Sequence, residues 1–131
     1  MAEIRNWNFH RLDIDFNPLA KPNGKDKPSD MDMVYISKDN TLIIGEFKNE
    51  TKPYIEDGQK WLIERYINGW KYDALALLII HNKYVQRNDT KVNAAECYVK
   101  EIFYKRVGRW VEPKKPTTVK DIINYYRGGN T

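Results

Sequence analysis

Between residues 32 and 48 the chain reads DMVYISKDNTLIIGEFK: an apolar run, the polar stretch Ser37-Lys38-Asp39-Asn40, then a second apolar run. This is the grammar of a hairpin, and it predicts a strand over about 32–37, a turn at 38–40 and a strand over about 41–48. By the period of two, Leu42, Ile44, Glu46 and Lys48 share one face of the second strand, and Ile43, Gly45 and Phe47 share the other. A strand apolar on both faces belongs in the middle of a sheet, under covering helices.

The period then changes. In YIEDGQKWLIERYINGW (54–70), Ile55, Gln59, Leu62, Ile63, Tyr66, Ile67 and Trp70 recur near helical spacing, the first turn is acidic, and Asn68-Gly69 is a stop signal. Trp61 and Trp70 read as core residues of that helix. DALALLIIHN (73–82) is a continuous apolar run after a helix, which predicts a strand reached by a crossover and parallel to a neighbour. AECYVKEIFYKRVGRWVEP (95–113) alternates and turns at Val107-Gly108, predicting an edge hairpin with Lys100, Glu101, Lys105, Arg106 and Arg109 on its polar side. After PKKP, Thr117 or Thr118 can cap a short last helix, VKDIINYYR. The expected fold class is α/β, a central mixed sheet flanked by helices, in a single domain over 1–131. Its core spans about 28–82, its edge hairpin about 95–112 and its C-terminal helix about 117–127.

Composition narrows the classes. With 131 residues, 41% hydrophobic and 13% aromatic, the chain can bury a continuous core, which excludes a disordered tail. Twenty-two Lys and Arg against 18 Asp and Glu leave +4, a balance that tolerates a polyanionic partner without establishing one. NPLAKPNGKDKPS (17–29) holds three Pro and three Lys and reads as a mobile basic loop. Cys97 stands alone, which excludes an intramolecular disulfide and a four-thiolate zinc site and reads as a small buried residue on a strand. His10 and His81 lack metal-ligand spacing and read as structural. No apolar run has signal-peptide or membrane-spanning length, so a soluble cytoplasmic protein is expected, with no membrane partner.

The chemistry concentrates where the hairpin ends. Antiparallel neighbours reverse direction, so Asp32, opening the first strand, comes close to Glu46 near the end of the second. Two nearby carboxylates repel unless a cation sits between them. Lys48, on the face of Glu46, is one candidate cation and a divalent metal is another; oxygen-only ligands suit Mg²⁺ or Mn²⁺. Asp30 lies on the face of Asp32 two positions earlier and could share the metal.

A carboxylate opening one strand followed by Glu-x-Lys on the next, here SDMDMVYI…LIIGEFK, resembles the PD-(D/E)XK nuclease superfamily over about residues 28–82. The resemblance implies a restriction-endonuclease-like core and a Mg²⁺- or Mn²⁺-dependent deoxyribonuclease hydrolysing phosphodiester bonds. In size it is similar to Holliday junction resolvases and small phage or mobile-element endonucleases of DNA recombination or repair. It implies that Asp32, Glu46 and the carbonyl of Phe47 bind the metal, with Asp30 as alternative or added ligand, and that Lys48 orients or activates water. Gln59 resembles the polar residue that some subfamilies carry on the following helix, although Ile63 stands where their Tyr would be. Glu3 is the one glutamate before the motif, and Asn49 and Glu50 belong either to the site or to the turn that leaves it. DNA is then the expected partner, with Lys25, Lys27 and Lys60 toward its phosphates and a homodimer through the hairpin at 95–112, in a bacterial or phage-infected cell. The competing readings are a non-catalytic DNA-binding or assembly module of the same fold, and an unrelated α/β domain in which Glu46 and Lys48 pair.

Overall fold

A computed structural model of the chain describes residues 31–81, 87–88 and 91–128. In chain order the elements are β1 (Met33–Ile36), β2 (Leu42–Asn49), α1 (Asp57–Gly69), β3 (Ala74–His81), β4 (Arg87–Asn88), β5 (Lys91–Val92), a 3₁₀ turn (Ala94–Glu96), β6 (Tyr98–Tyr104), β7 (Trp110–Val111) and α2 (Val119–Tyr126). Five strands form a mixed sheet in the order β1-β2-β3-β6-β7, while β4 and β5 pair as a separate ribbon. The α/β class, the mixed sheet and both helices agree with the sequence pattern.

The β1–β2 turn works through Asn40, which takes φ 65°, the left-handed region that Asn tolerates. Ser37 closes the turn: its N–H donates to the Thr41 carbonyl, and its Oγ accepts from the Thr41 N–H at 3.1 Å. The Trp70 indole N–H, arriving from the end of α1, donates to the Asn40 carbonyl at 2.8 Å. The antiparallel register pairs Met33 with Gly45 and Ile36 with Leu42.

From β2 the chain crosses through α1 and returns as β3, parallel to β2, with Leu42 beside Ala74 and Lys48 beside Ile80. Two cores result. On one face Ile55, just before α1, and Ile63 and Ile67 of α1 pack with Leu42, Ile44, Ala76, Leu78 and Phe103. On the other, Ile43, Leu75, Leu77, Ile79, Val99 and Ile102 meet Val119, Ile122, Ile123 and Tyr126 of α2. Each fully buried Ile or Leu contributes about 1.5–3 kcal/mol of transfer free energy, and β3, covered on both sides, supplies the most continuous run of them.

The second hairpin, β6 with β7, forms at the sheet edge as expected. Its turn lies where Gly108 takes φ 78°, but β6 pairs with β3 as well as β7, so the sheet edge here is the two-residue β7. Lys100 is exposed and Glu101 half-buried where the β3–β6 register shifts, with Leu78 beside Glu101 and Ile79 beside Val99, so Lys100 is the extra residue of a bulge. Lys105 points inward, its ammonium donating to the carbonyls of Trp70 and Tyr72 past the end of α1. Trp61 corrects an expectation: it lies on the outer side of α1, 43% exposed, under the guanidinium of Arg65, whereas Trp70 packs against the core.

Candidate functional site

Beyond Gly45, β2 continues to Glu46, and the register that pairs Met33 with Gly45 brings Asp32 to the level of Glu46. Asp32 Oδ2 accepts the Phe47 backbone N–H at 2.8 Å, which ties this exposed carboxylate to the rim of β2. Glu46 is 2% exposed, with its side chain on the face covered by α1. Its Oε2 accepts from Gln59 Nε2 at 3.0 Å. A buried carboxylate is costly without hydrogen bonds, and Gln59 projects from the first turn of α1 to supply one. Lys48, half-buried, lies two positions further along the strand on the face of Glu46. The structure therefore gathers Asp32, Glu46, Lys48 and Gln59 at one end of the sheet.

Other residues take different places. Asn49 belongs to the turn: its Oδ1 accepts from the Thr51 N–H at 3.0 Å and from the Thr51 hydroxyl at 3.2 Å. Glu50 is exposed, and its N–H donates to the His81 carbonyl. Lys60 sits on α1 with its ammonium 5.1 Å from the centroid of the Trp110 ring, whose indole N–H donates to Glu64 Oε2 at 2.7 Å. Asp30, Lys25, Lys27, Glu3 and His10 lie outside the described residues. Among the described residues no group of three or more His, Cys, Asp and Glu side chains gathers, so two carboxylates are the acidic complement there.

Cys97 and Asp121 have structural roles. Burial pushes the Cys97 thiol up, with Glu96 adding to the effect, and its Sγ lies 3.6 Å from the Asn93 carbonyl; a protonated, enclosed thiol is a poor nucleophile. At α2, Thr118 and Asp121 form a reciprocal capping box, and the Thr118 hydrogen bonds hold the Asp121 carboxyl below its usual range. The spacing Thr118-x-x-Asp121 was the available signal for that box. A cluster that sequence periodicity passed over joins Tyr104, Tyr125 and Tyr126 with Arg106 around a cleft beside α2. Its members come from separate elements, so no local pattern announces it.

The family model described as mitochondrial PGP phosphatase matches residues 2–131. No curated protein and no solved structure matches the chain. The family match overturns the PD-(D/E)XK assignment and, with it, the Mg²⁺-dependent deoxyribonuclease, the resolvase or phage endonuclease, and the DNA-binding or assembly module. DNA recombination or repair falls too, as do a DNA partner for Lys25, Lys27 and Lys60 and the cytoplasm of a bacterium or infected cell, since the family's description is mitochondrial. The dimer drawn from two cuts on two DNA strands loses its reason as well, and β6 lies inside the sheet. Among the described residues no helix is long and apolar enough to cross a membrane. The physical reason for the correction is plain. Two carboxylates and a lysine at a strand rim suit a cation and phosphate oxygens, whether the phosphorus carries two ester bonds or one.

Proposed function

We propose, because the chain belongs to the mitochondrial PGP phosphatase family, that it hydrolyses a phosphate monoester carried on a lipid, in mitochondria, at the cluster of Asp32, Glu46, Lys48 and Gln59. The observation that carries this reading is the buried carboxylate of Glu46, held by Gln59 at the rim of a central strand, with Asp32 tied beside it to the Phe47 N–H. Water forms the new bond to phosphorus, the ester P–O bond breaks, and a proton passes to the departing lipid alcohol.

The donor set fits Mg²⁺. Glu46 on β2 and Asp32 just before β1 offer hard oxygens, and with Asp32 Oδ2 committed to the backbone its Oδ1 would be the oxygen offered to a cation. Asp32, Glu46 and the Phe47 carbonyl would hold the ion, with Asp30 as a further candidate, and water and phosphate oxygens would fill the other positions. When bound, Mg²⁺ neutralises phosphate charge and makes water more acidic.

The chain's own groups do the rest. Lys48 places a positive charge on the Glu46 face, where it would stabilise charge developing on the phosphoryl oxygens. Gln59 fixes the Glu46 rotamer, and the Phe47 N–H fixes that of Asp32. The buried run from Leu42 to Glu46 gives both a rigid base, which is the preorganisation such a site needs.

The test is release of inorganic phosphate from lipid phosphate monoesters in mixed micelles, with Mg²⁺ or with EDTA. Glu46→Gln and Lys48→Ala should each lower the rate by about 100-fold or more, the scale of losing a charge-stabilising group. Phosphate release that survives EDTA, or is undiminished in both variants, would move the chemistry away from this cluster.

A further inference from the structure

On the face of the sheet opposite Glu46, a cleft of about 770 Å³ opens between α2, the end of β6 with Arg106 just beyond it, and the segment before α2. The opposition follows from the two cores: Tyr104, Ile122 and Tyr126 pack with Ile43 and Leu75, whereas α1 and Glu46 lie on the side of Leu42 and Ile44. Ligand pockets commonly span roughly 300–1,000 Å³, so the cleft can take a molecule of nucleotide size.

Its walls are aromatic and cationic together. Tyr125 and Tyr126 meet edge to face, centroids 4.9 Å apart, and Tyr125 is 72% exposed, which leaves ring surface for stacking. Burial, with Tyr104, Asp73 and Tyr125 nearby, pushes the Tyr126 phenol up to about 12, so it stays a donor throughout the physiological range. Arg106 lines the cleft with its side chain 76% exposed; Asp73 engages one guanidinium nitrogen at 3.4 Å, and the group carries further donors. Lys115 adds a second cation, and Asn124 an amide. The acid in the wall, Asp121, already accepts the Thr118 N–H at 2.9 Å.

We propose that this cleft binds a nucleoside phosphate, its base against the exposed ring of Tyr125 and its phosphate on Arg106 and Lys115. The exposed ring of Tyr125 favours a planar base over a glycerol headgroup, and the two cations select for the phosphorylated form over the nucleoside. The site is separate from the hydrolytic cluster and does not depend on that reading.

The test is calorimetric titration of the full chain, in EDTA, with AMP, adenosine, inorganic phosphate and glycerol 3-phosphate. AMP should bind at least about tenfold more tightly than the other three, since a charge-assisted contact and a stacking contact are each worth that much or more. Arg106→Ala should weaken AMP by about tenfold and leave adenosine unchanged, and Tyr125→Ala should weaken AMP and adenosine alike. Neither change should alter lipid-phosphate hydrolysis. AMP binding should persist in Glu46→Gln; loss there would assign AMP to the hydrolytic cluster and overturn the proposal. Phosphate or adenosine binding as tight as AMP, or no AMP binding at millimolar concentration, would also overturn it.

Discussion

Gln59 Nε2 lies 3.0 Å from Glu46 Oε2, so the first turn of α1 reaches a strand residue thirteen positions earlier. That contact links helix placement to the orientation of a buried acid. Gln59→Leu keeps the bulk and removes the donor, which should cost about 1–3 kcal/mol of stability. Gln59→Glu instead sets two carboxylates at hydrogen-bonding distance, and like charges there favour a shared proton. Its cost in a urea titration should therefore be larger at pH 7 than at about pH 4.5, where one carboxyl is protonated. An equal cost at both pH values would show that the two side chains do not face each other.

Asp32 has a separable structural and electrostatic role, because its Oδ2 accepts the Phe47 N–H at 2.8 Å. Asp32→Asn retains an oxygen acceptor and loses the charge; Asp32→Ala loses both. Asn should hold the urea midpoint close to that of the parent chain, while Ala should cost about 1 kcal/mol, the usual worth of a hydrogen bond. Phosphate release should fall in both, since Mg²⁺ attraction needs the charge. Activity retained in Asp32→Asn would remove Asp32 from the ion's donors.

The legible part of this molecule is the part governed by local rules. Asn40, between two apolar runs, marks the β1–β2 turn; the double-faced β2 and the helix after it foretell a parallel β3; Thr118 marks the start of α2. The meeting of Asp32 with Glu46 follows from antiparallel register alone. Sheet order does not, because nothing in the alternation of Tyr98–Tyr104 says whether β3 or solvent lies beside it. Trp61 shows a similar limit, since α1 has more large apolar side chains than its inward stripe accepts, and Trp61 goes outward with Arg65 over its ring. The nuclease reading failed for a chemical reason. Two carboxylates and a lysine are a pattern that suits a cation and phosphate oxygens in general, and nothing in three such residues separates one kind of phosphate ester from another. The family match draws on residues 2–131, and the motif on a fraction of them.

Gly45 stands between β1 and β3 one residue before the buried acid, where an added Cβ would meet Ile79 Cδ1 at 2.8 Å and Met33 Cε at 2.9 Å. Both obstacles are side-chain ends, so Gly45→Ala should fold with a cost of about 1–3 kcal/mol from overpacking. Ile79→Val removes the Cδ1 that the new methyl would strike. The double variant should therefore be more stable than the sum of the two single costs implies, by about 0.5 kcal/mol or more in a double-mutant cycle. Strict additivity would place the strain at Met33 or in a shift of β2.

Thr118 and Asp121 cap α2 reciprocally: the Thr118 N–H donates to Asp121 Oδ2 at 2.9 Å, and the Asp121 N–H donates to Thr118 Oγ1 at 3.3 Å. Thr118→Ala removes the hydroxyl and should lower stability by about 1 kcal/mol at pH 7. The hydrogen bonds to Thr118 hold the Asp121 carboxyl below its usual range in the folded chain. A carboxyl depressed on folding stabilises the fold at pH values above its unfolded value, and that contribution disappears as pH falls through the folded one. Asp121→Asn should thus lower the melting temperature at pH 7 and have progressively less effect below about pH 4, becoming smallest near pH 2. Because Asp121 is solvent-exposed, its charge is well screened, and the whole effect should amount to a few degrees at most. A melting-temperature difference that stayed constant from pH 7 to pH 2 would mean that the carboxylate charge contributes nothing to the cap.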